Sequence, residues 1–483
     1  KFLSDYASIC LGIKDTARLI DNLEKKKIIQ YRNYNKRYVL SEGTDLDITS
    51  ALIEAESKVT NIIDLVTLLK REYQLPPIYA KSYSYLTGTP RLFEFIISSY
   101  PINEVPYNEI DGFINLIFND QIDVQEIKER SKLQEEAIIY GYYQNSKTIR
   151  NQLFEIEKTR KVIDENTDDR VAIKELNNIL VHQQNLLNHY ILSNLYSEVS
   201  EIKWIFKGEE KIVKSKKDFN KLLSQICFEV YSKTPVFKNE LVNKHKISSA
   251  VQTAKNNFIV ALTNRWNKPD LGFESYKFPP EKTIYLTLLK ENGIDLYSDT
   301  IDCKVEVDAN SSFIDLWNFS EGFLYSARLK RKPISDFIEP LNRKPFKLKQ
   351  GLIDFWIAIF LFIKREDYAL FDENGYIPYL TNEVLGLVIK YPEKYEIKAF
   401  DIDGIRLNLF NSYRLLINQN EQARIGNQSF IETIKPFLTF YRNLPEYTKT
   451  TKRLKKETIS IREAISNAKD PEKVFFEDLP NAL

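Results

Sequence analysis

The chain of 483 residues contains no methionine, where about ten would be ordinary for its size. It opens on Lys1 without an initiator. Both features point to a piece of a longer protein, or to a sequence from which residues have been lost. Cysteine is also rare. Cys10, Cys227 and Cys303 lie far apart and form no CxxC pair, which excludes a disulfide framework and a structural zinc site of the usual spacing. With no signal-peptide pattern at the start, this cysteine usage fits a reducing, cytoplasmic setting. The longest apolar run, "LIDFWIAIFLFI" from Leu352 to Ile363, is interrupted by Asp354 and falls well short of the roughly 20 residues that span a bilayer. It reads as a buried core helix, and no membrane partner is expected.

Catalytic signatures are missing as well. The phosphate loop GxxxxGK[ST], HExxH, GxSxG and the calcium loop all fail to occur, so the chain alone should neither hydrolyse a nucleotide nor hold a catalytic cofactor. His182 and His189 would share a helix face about two turns apart, too far for one metal ion. The triplet Asp302, Cys303, Lys304 has the form found in metal-dependent nucleases, but no second carboxylate cluster supports a metal pair. No catalytic or metal residue is therefore assigned. A divergent nuclease using Asp302 remains the least supported of three functional classes.

Net charge is only +1, so contact with nucleic acid would have to rest on local patches. Three occur. Lys25, Lys26, Lys27, Arg32, Lys36 and Arg37 are interleaved with Tyr31, Tyr34 and Tyr38, in a segment that reads as a helix ending near Lys27 followed by a tight hairpin. Such a winged-helix ending lays cations on phosphates and rings on sugars or bases; it equally describes a solvated hairpin or a protein-contact module. From Arg328 to Lys349, eight cations (Arg328, Lys330, Arg331, Lys332, Arg343, Lys344, Lys347, Lys349) face two anions, a local charge of +6. Lys449, Lys452, Arg453, Lys455 and Lys456 form the third. Each patch serves nucleic acid, an acidic partner or plain solvation. Lys26, Lys27, Arg32, Tyr34, Lys36, Arg37, Arg328, Lys330, Arg331 and Lys332 are the candidate nucleic-acid-binding residues.

The expected fold class is mostly α with small β-hairpins and sheets (α+β), in several domains. Residues 1–48 form a winged-helix end, 49–121 a small α+β module with a helix over 50–72 and a strand-rich stretch over 78–97, and 122–200 a long helical hairpin. In the hairpin, Ile149, Leu153, Ile156 and Ile163 answer Leu176, Ile179, Leu180, Leu187, Tyr190 and Ile191 across the polar joint 164–170, which suits an antiparallel coiled coil or two helices of a bundle. Residues 201–310 form an α+β module with a hairpin at Gly208 and a helix pair over 237–262. Residues 311–400 form a winged-helix-like module with a turn at Asn374-Gly375, and 401–483 a helical end.

One segment carries a resemblance. The triplet Asn239, Glu240, Leu241, the step Ser248, Ser249, Ala250 with its following basic helix, and "PPEKTIYLTLL" together resemble the region after the ATPase core in large, AAA-like P-loop ATPases of bacterial phage-defence systems, of the BREX type. The likeness covers residues 237–294; elsewhere it is one of architecture. It implies a parent protein whose nucleotide-binding core uses ATP and Mg²⁺, assembled as a homo-oligomer with other defence subunits and acting on double-stranded DNA. The missing phosphate loop then fits a non-catalytic C-terminal part. The alternative from another class is a helical protein-interaction scaffold that never touches nucleic acid.

Overall fold

The computed structural model describes residues 2–26, 28–32, 36–40, 46–59, 64–73, 75–197, 200–294, 296, 307–400, 405–417, 427–468 and 470–482. The protein is 56% helical with small sheets, so the α+β reading holds. The chain forms two compact units, one of residues 1–78 and 92–222, the other of 79–91 and 223–483.

The first unit is organised by a six-stranded sheet in the order 78–79, 92–98, 110–117, 138–143, 202–206, 209–211. Strands Leu92–Ser98, Ile110–Ile117 and Ile138–Tyr143 run parallel, and the last two pair antiparallel. The two central strands are buried along nearly their whole length, with Asp111 and Asn115 as buried polar side chains among mostly apolar ones, as expected where helices cover both faces of a parallel sheet. On one face Ile127 of helix Val124–Leu133 packs with Phe113, Tyr140 and Ile205. The other face carries Tyr143 stacked on Phe118 and Trp204 against Phe219. Buried Asn115 is fully used: its amide donates to Ile96 O and Ser98 Oγ, and its carbonyl accepts Ile102 N–H. That holds the connection 99–109, which joins two parallel neighbours without a helix. The hairpin at Gly208 forms as expected, with positive φ at both Lys207 and Gly208 suiting a tight two-residue turn.

Helices Lys147–Glu165 and Arg170–Leu195 fold back on each other, the second capped by Asp169, whose carboxylate accepts Val171 and Ala172 N–H. Val162 and Leu176 bury against Ile48 and Ala55 of helix Ile48–Lys58. The helix expected over 50–72 is two: Val59 leaves the helix in extended conformation, and Asp64 caps a second helix, Leu65–Glu72, by accepting Thr67 N–H. Apolar periodicity continues across that break, so it carried no signal of it.

In the second unit, helix Gln350–Ile363 has eleven buried residues, which is why its sequence is apolar all round. It is the central element of a large core that includes Phe258, Ile284, Trp317, Phe337 and Ile397. A four-stranded antiparallel sheet, ordered 375–377, 368–372, 396–399, 332–333, lies beside it. Helices Ile405–Leu416, Asn427–Asn443 and Lys456–Ser466 build a separate aromatic core around Phe410, Phe430 and Phe475. The expected turn is displaced by one residue: Asp372 pairs with Gly375, and the Asp372 carboxylate accepts Asn374 and Gly375 N–H. The loop is therefore Glu373-Asn374.

Two further expectations are corrected here. The stretch expected to be strand-rich contains helix Lys81–Thr87, stopped by Gly88 at φ 74°. A Cβ at Gly88 would lie 2.3 Å from Phe237 O, so glycine is needed there for both conformation and space. The expected helix pair over 237–262 is one helix, Ser249–Arg265, preceded by turns. Side chains replace helical bonding in those turns: Asn243 donates to Gly88 O, Thr89 Oγ1 and Phe237 O, and Asn239 accepts Leu241 N–H.

Candidate nucleic-acid interface

Helix Thr16–Lys25 leads directly into the antiparallel pair Ile29–Arg32 and Arg37–Leu40. Strand pairing sets Tyr31 opposite Tyr38, with ring centroids 4.9 Å apart, and Arg32 opposite Arg37. Like charges directly across a strand pair repel, and the repulsion is relieved because Arg32 turns onto the Glu175 carboxylate of the helical hairpin. Lys36 stands at the tip with φ 53°. Lys26, Lys36 and Arg37 are exposed and make no ion pair among the described residues, whereas Lys25 is held by Asp21 at 2.7 Å. Partial burial, then the nearby Glu24 carboxylate, pushes the Tyr38 phenol above its ordinary pKa. Lys27 and Tyr34 lie outside the described residues.

The stretch from Arg328 to Lys349 is dispersed by the fold. Arg331 lies over the Phe371 ring at 3.5 Å and bonds Asp470 at 3.2 Å. Arg328 covers the Tyr325 ring at 4.8 Å. Lys332 sits on the edge strand opposite Ile397, and Arg343 pairs with Glu339. Lys347 and Lys349 are 5% and 3% exposed, so they add nothing to a surface field. Among the described residues, Lys330 alone of the four candidates here is exposed without a ring or carboxylate beside it. Sequence counting treated these cations as one patch, yet backbone direction sends them to different places.

Beneath the hairpin is an apolar groove of about 380 Å³, lined by Leu3, Ala7, Ile13, Leu19, Leu23 and Tyr38 among others. Helix Phe2–Ile9 buries none of its residues, and Phe2 and Ile9 are 82% and 80% exposed. This groove went unread in the sequence; the apolar residues of "FLSDYASICLGI" were the available signal. The hairpin's acidic anchor Glu175 was also missed, since nothing local ties it to Arg32.

Among the described residues, no group of three or more His, Cys, Asp or Glu side chains is placed to hold a metal ion, and Asp302, Cys303 and Lys304 lie outside them. Cys10 is exposed and Cys227 buried. No described helix is long and apolar enough to cross a membrane. Compared with known proteins, the chain matches no family model, no curated protein and no solved structure.

Proposed function

We propose that this chain is the non-catalytic C-terminal part of a large P-loop ATPase of bacterial phage defence, contacting duplex DNA through the hairpin 29–40 in the manner of a winged helix. The observation that carries this reading is the hairpin tip: Lys36 and Arg37 are exposed and make no ion pair among the described residues, beside the Tyr31–Tyr38 ring pair. Cations in that position neutralise phosphates and release counterions, a sequence-independent source of affinity. The candidate cations Lys26 and Lys330 extend the same reading. The two long helices act as an antiparallel coiled coil that spaces partner subunits, while ATP and Mg²⁺ belong to the parent's core and its homo-oligomer. The direct test is anisotropy of a labelled duplex titrated with the chain. Saturable binding supports the reading, and no binding at low salt removes it.

The groove under the hairpin favours a second reading, a helical scaffold that binds only protein. Exposed contiguous apolar surface of that kind marks interaction sites. Co-purification with a partner subunit, lost on Leu19→Glu and accompanied by no DNA binding, would select this reading over the first.

A further inference from the structure

We infer that the loop 451–456 in the second unit is a built phosphodiester-binding surface, distinct from the hairpin and sharing with the proposed function only the premise that nucleic acid is the partner. Lys452, Arg453, Lys455 and Lys456 fall within five residues, all exposed, and their side chains make no ion pair among the described residues. Their neighbour Lys449 is neutralised by Glu446 at 2.8 Å, so the loop is where the third basic cluster keeps its charge. This contrasts with the stretch 328–349, whose cations are mostly buried or partnered.

The loop is held in shape from below. Arg462, on helix Lys456–Ser466, donates from Nη1 to Thr448 O at 2.9 Å and to Thr451 O at 2.8 Å. Arg453 N–H donates to Thr451 Oγ1 at 3.2 Å. The cations therefore project from a backbone that is already ordered, which lowers the entropy lost on binding. Helix Lys456–Ser466 begins at Lys455, which supplies no side-chain cap. Glu457 in its first turn offsets the positive end of its dipole, so the charge offered to phosphate oxygens is that of Lys452, Arg453, Lys455 and Lys456 themselves.

Nucleic acid fits this surface better than the other polyanions. Leu454, the loop's one apolar residue, is 37% exposed, so little is offered for insertion into a bilayer. No aromatic lies within the loop itself, and the exposed Tyr447 on the helix before it can stack on a base as readily as anchor a protein. A row of phosphates needs only spaced cations.

The experiment is duplex-DNA anisotropy with the full chain across a salt series, using K452Q/R453Q/K455Q/K456Q, Arg462→Lys and the hairpin variant K36E/R37E in parallel. Every phosphate that a variant no longer neutralises should flatten the slope of log affinity against log salt by about 0.9. The quadruple variant is expected to lower the slope by about 3.6 and to weaken binding at least about tenfold near 0.1 M salt. Arg462→Lys keeps the charge but cannot hold both carbonyls in the same geometry, so it should weaken binding with the slope unchanged. Unchanged slope and affinity in the quadruple variant, with its melting temperature intact, would overturn the inference. So would binding to phosphatidylserine vesicles without binding to duplex. Because the hairpin variant is scored separately, loss in one and not the other tells which surface fails.

Discussion

Arg32 is neutralised by Glu175, so of the two arginines that face each other across the hairpin only Arg37 is left for a phosphate. Both members of the pair are largely covered, with side chains 25% and 10% exposed, and removing one partner leaves a poorly hydrated charge behind. Arg32→Gln should cost on the order of 1–3 kcal/mol of stability and leave the salt dependence of DNA binding as it is. Urea unfolding beside anisotropy checks both halves. A flattened salt slope at unchanged stability would show that Arg32 contacts phosphate.

Glu72 anchors the same helical hairpin. Its side chain is fully covered, and its carboxylate accepts Arg160 at 3.1 and 2.8 Å, Gln184 at 2.9 Å and Arg71 at 2.8 Å. Burial raises its pKa, but the bonds from Arg160, Gln184 and Arg71 outweigh burial and hold it below the ordinary value. The stability it contributes is therefore complete above the unfolded value of about 4.3 and is lost as pH falls through the lower folded value. Glu72→Gln should cost roughly 3 kcal/mol at neutral pH and reduce the acid sensitivity of the melting temperature, read from thermal unfolding of both proteins at several pH values.

Lys255 and Asp354 form a covered pair at 2.8 Å in the core of the second unit, with Gln350 donating to the other carboxylate oxygen at 2.7 Å. Asp354→Leu alone strands the ammonium and should cost about 3–5 kcal/mol. Adding Lys255→Met should restore most of that stability, because well-packed apolar replacements of a buried pair are often neutral. Chemical denaturation of the two single variants and the double variant completes the cycle. Additive losses would mean that the pair is not coupled.

Tyr73 and Tyr143 carry buried phenols without a hydrogen-bond partner among the described residues. Burial first, and neighbouring phenols second, raise both above the ordinary tyrosine value. Since the folded pKa is the higher, their contribution to stability is complete below about pH 10 and declines as pH rises toward the folded value. Tyr73→Phe and Tyr143→Phe should change stability at neutral pH by less than about 1 kcal/mol and lessen the alkaline loss. Melting curves at neutral and strongly alkaline pH are the check.

The legible part of this chain was what short-range pattern determines. The apolar run 352–363 became the core helix, the hairpin at Gly208 formed where its turn residues placed it, and the hairpin 29–40 followed its helix. What failed was decided by distant partners. Helix Lys81–Thr87 ends where Gly88 meets Phe237 O, and the turns before Ser249 depend on Asn243 reaching Gly88 and Thr89. The candidate site divided in the same way. Lys36 and Arg37 stay exposed as their turn position implies, while Arg32, Arg331 and Lys347 are claimed by Glu175, by Asp470 with Phe371, and by the interior, none of them near in sequence to the cation concerned.

The most direct measurement is the salt dependence of duplex-DNA affinity for the wild-type chain and for K36E/R37E. If the hairpin grips phosphates, the wild type should bind with a steep negative slope, and the variant should flatten it by about 2 without a change in melting temperature. An identical slope in the two proteins would contradict a nucleic-acid role for the hairpin and leave it a protein-contact element.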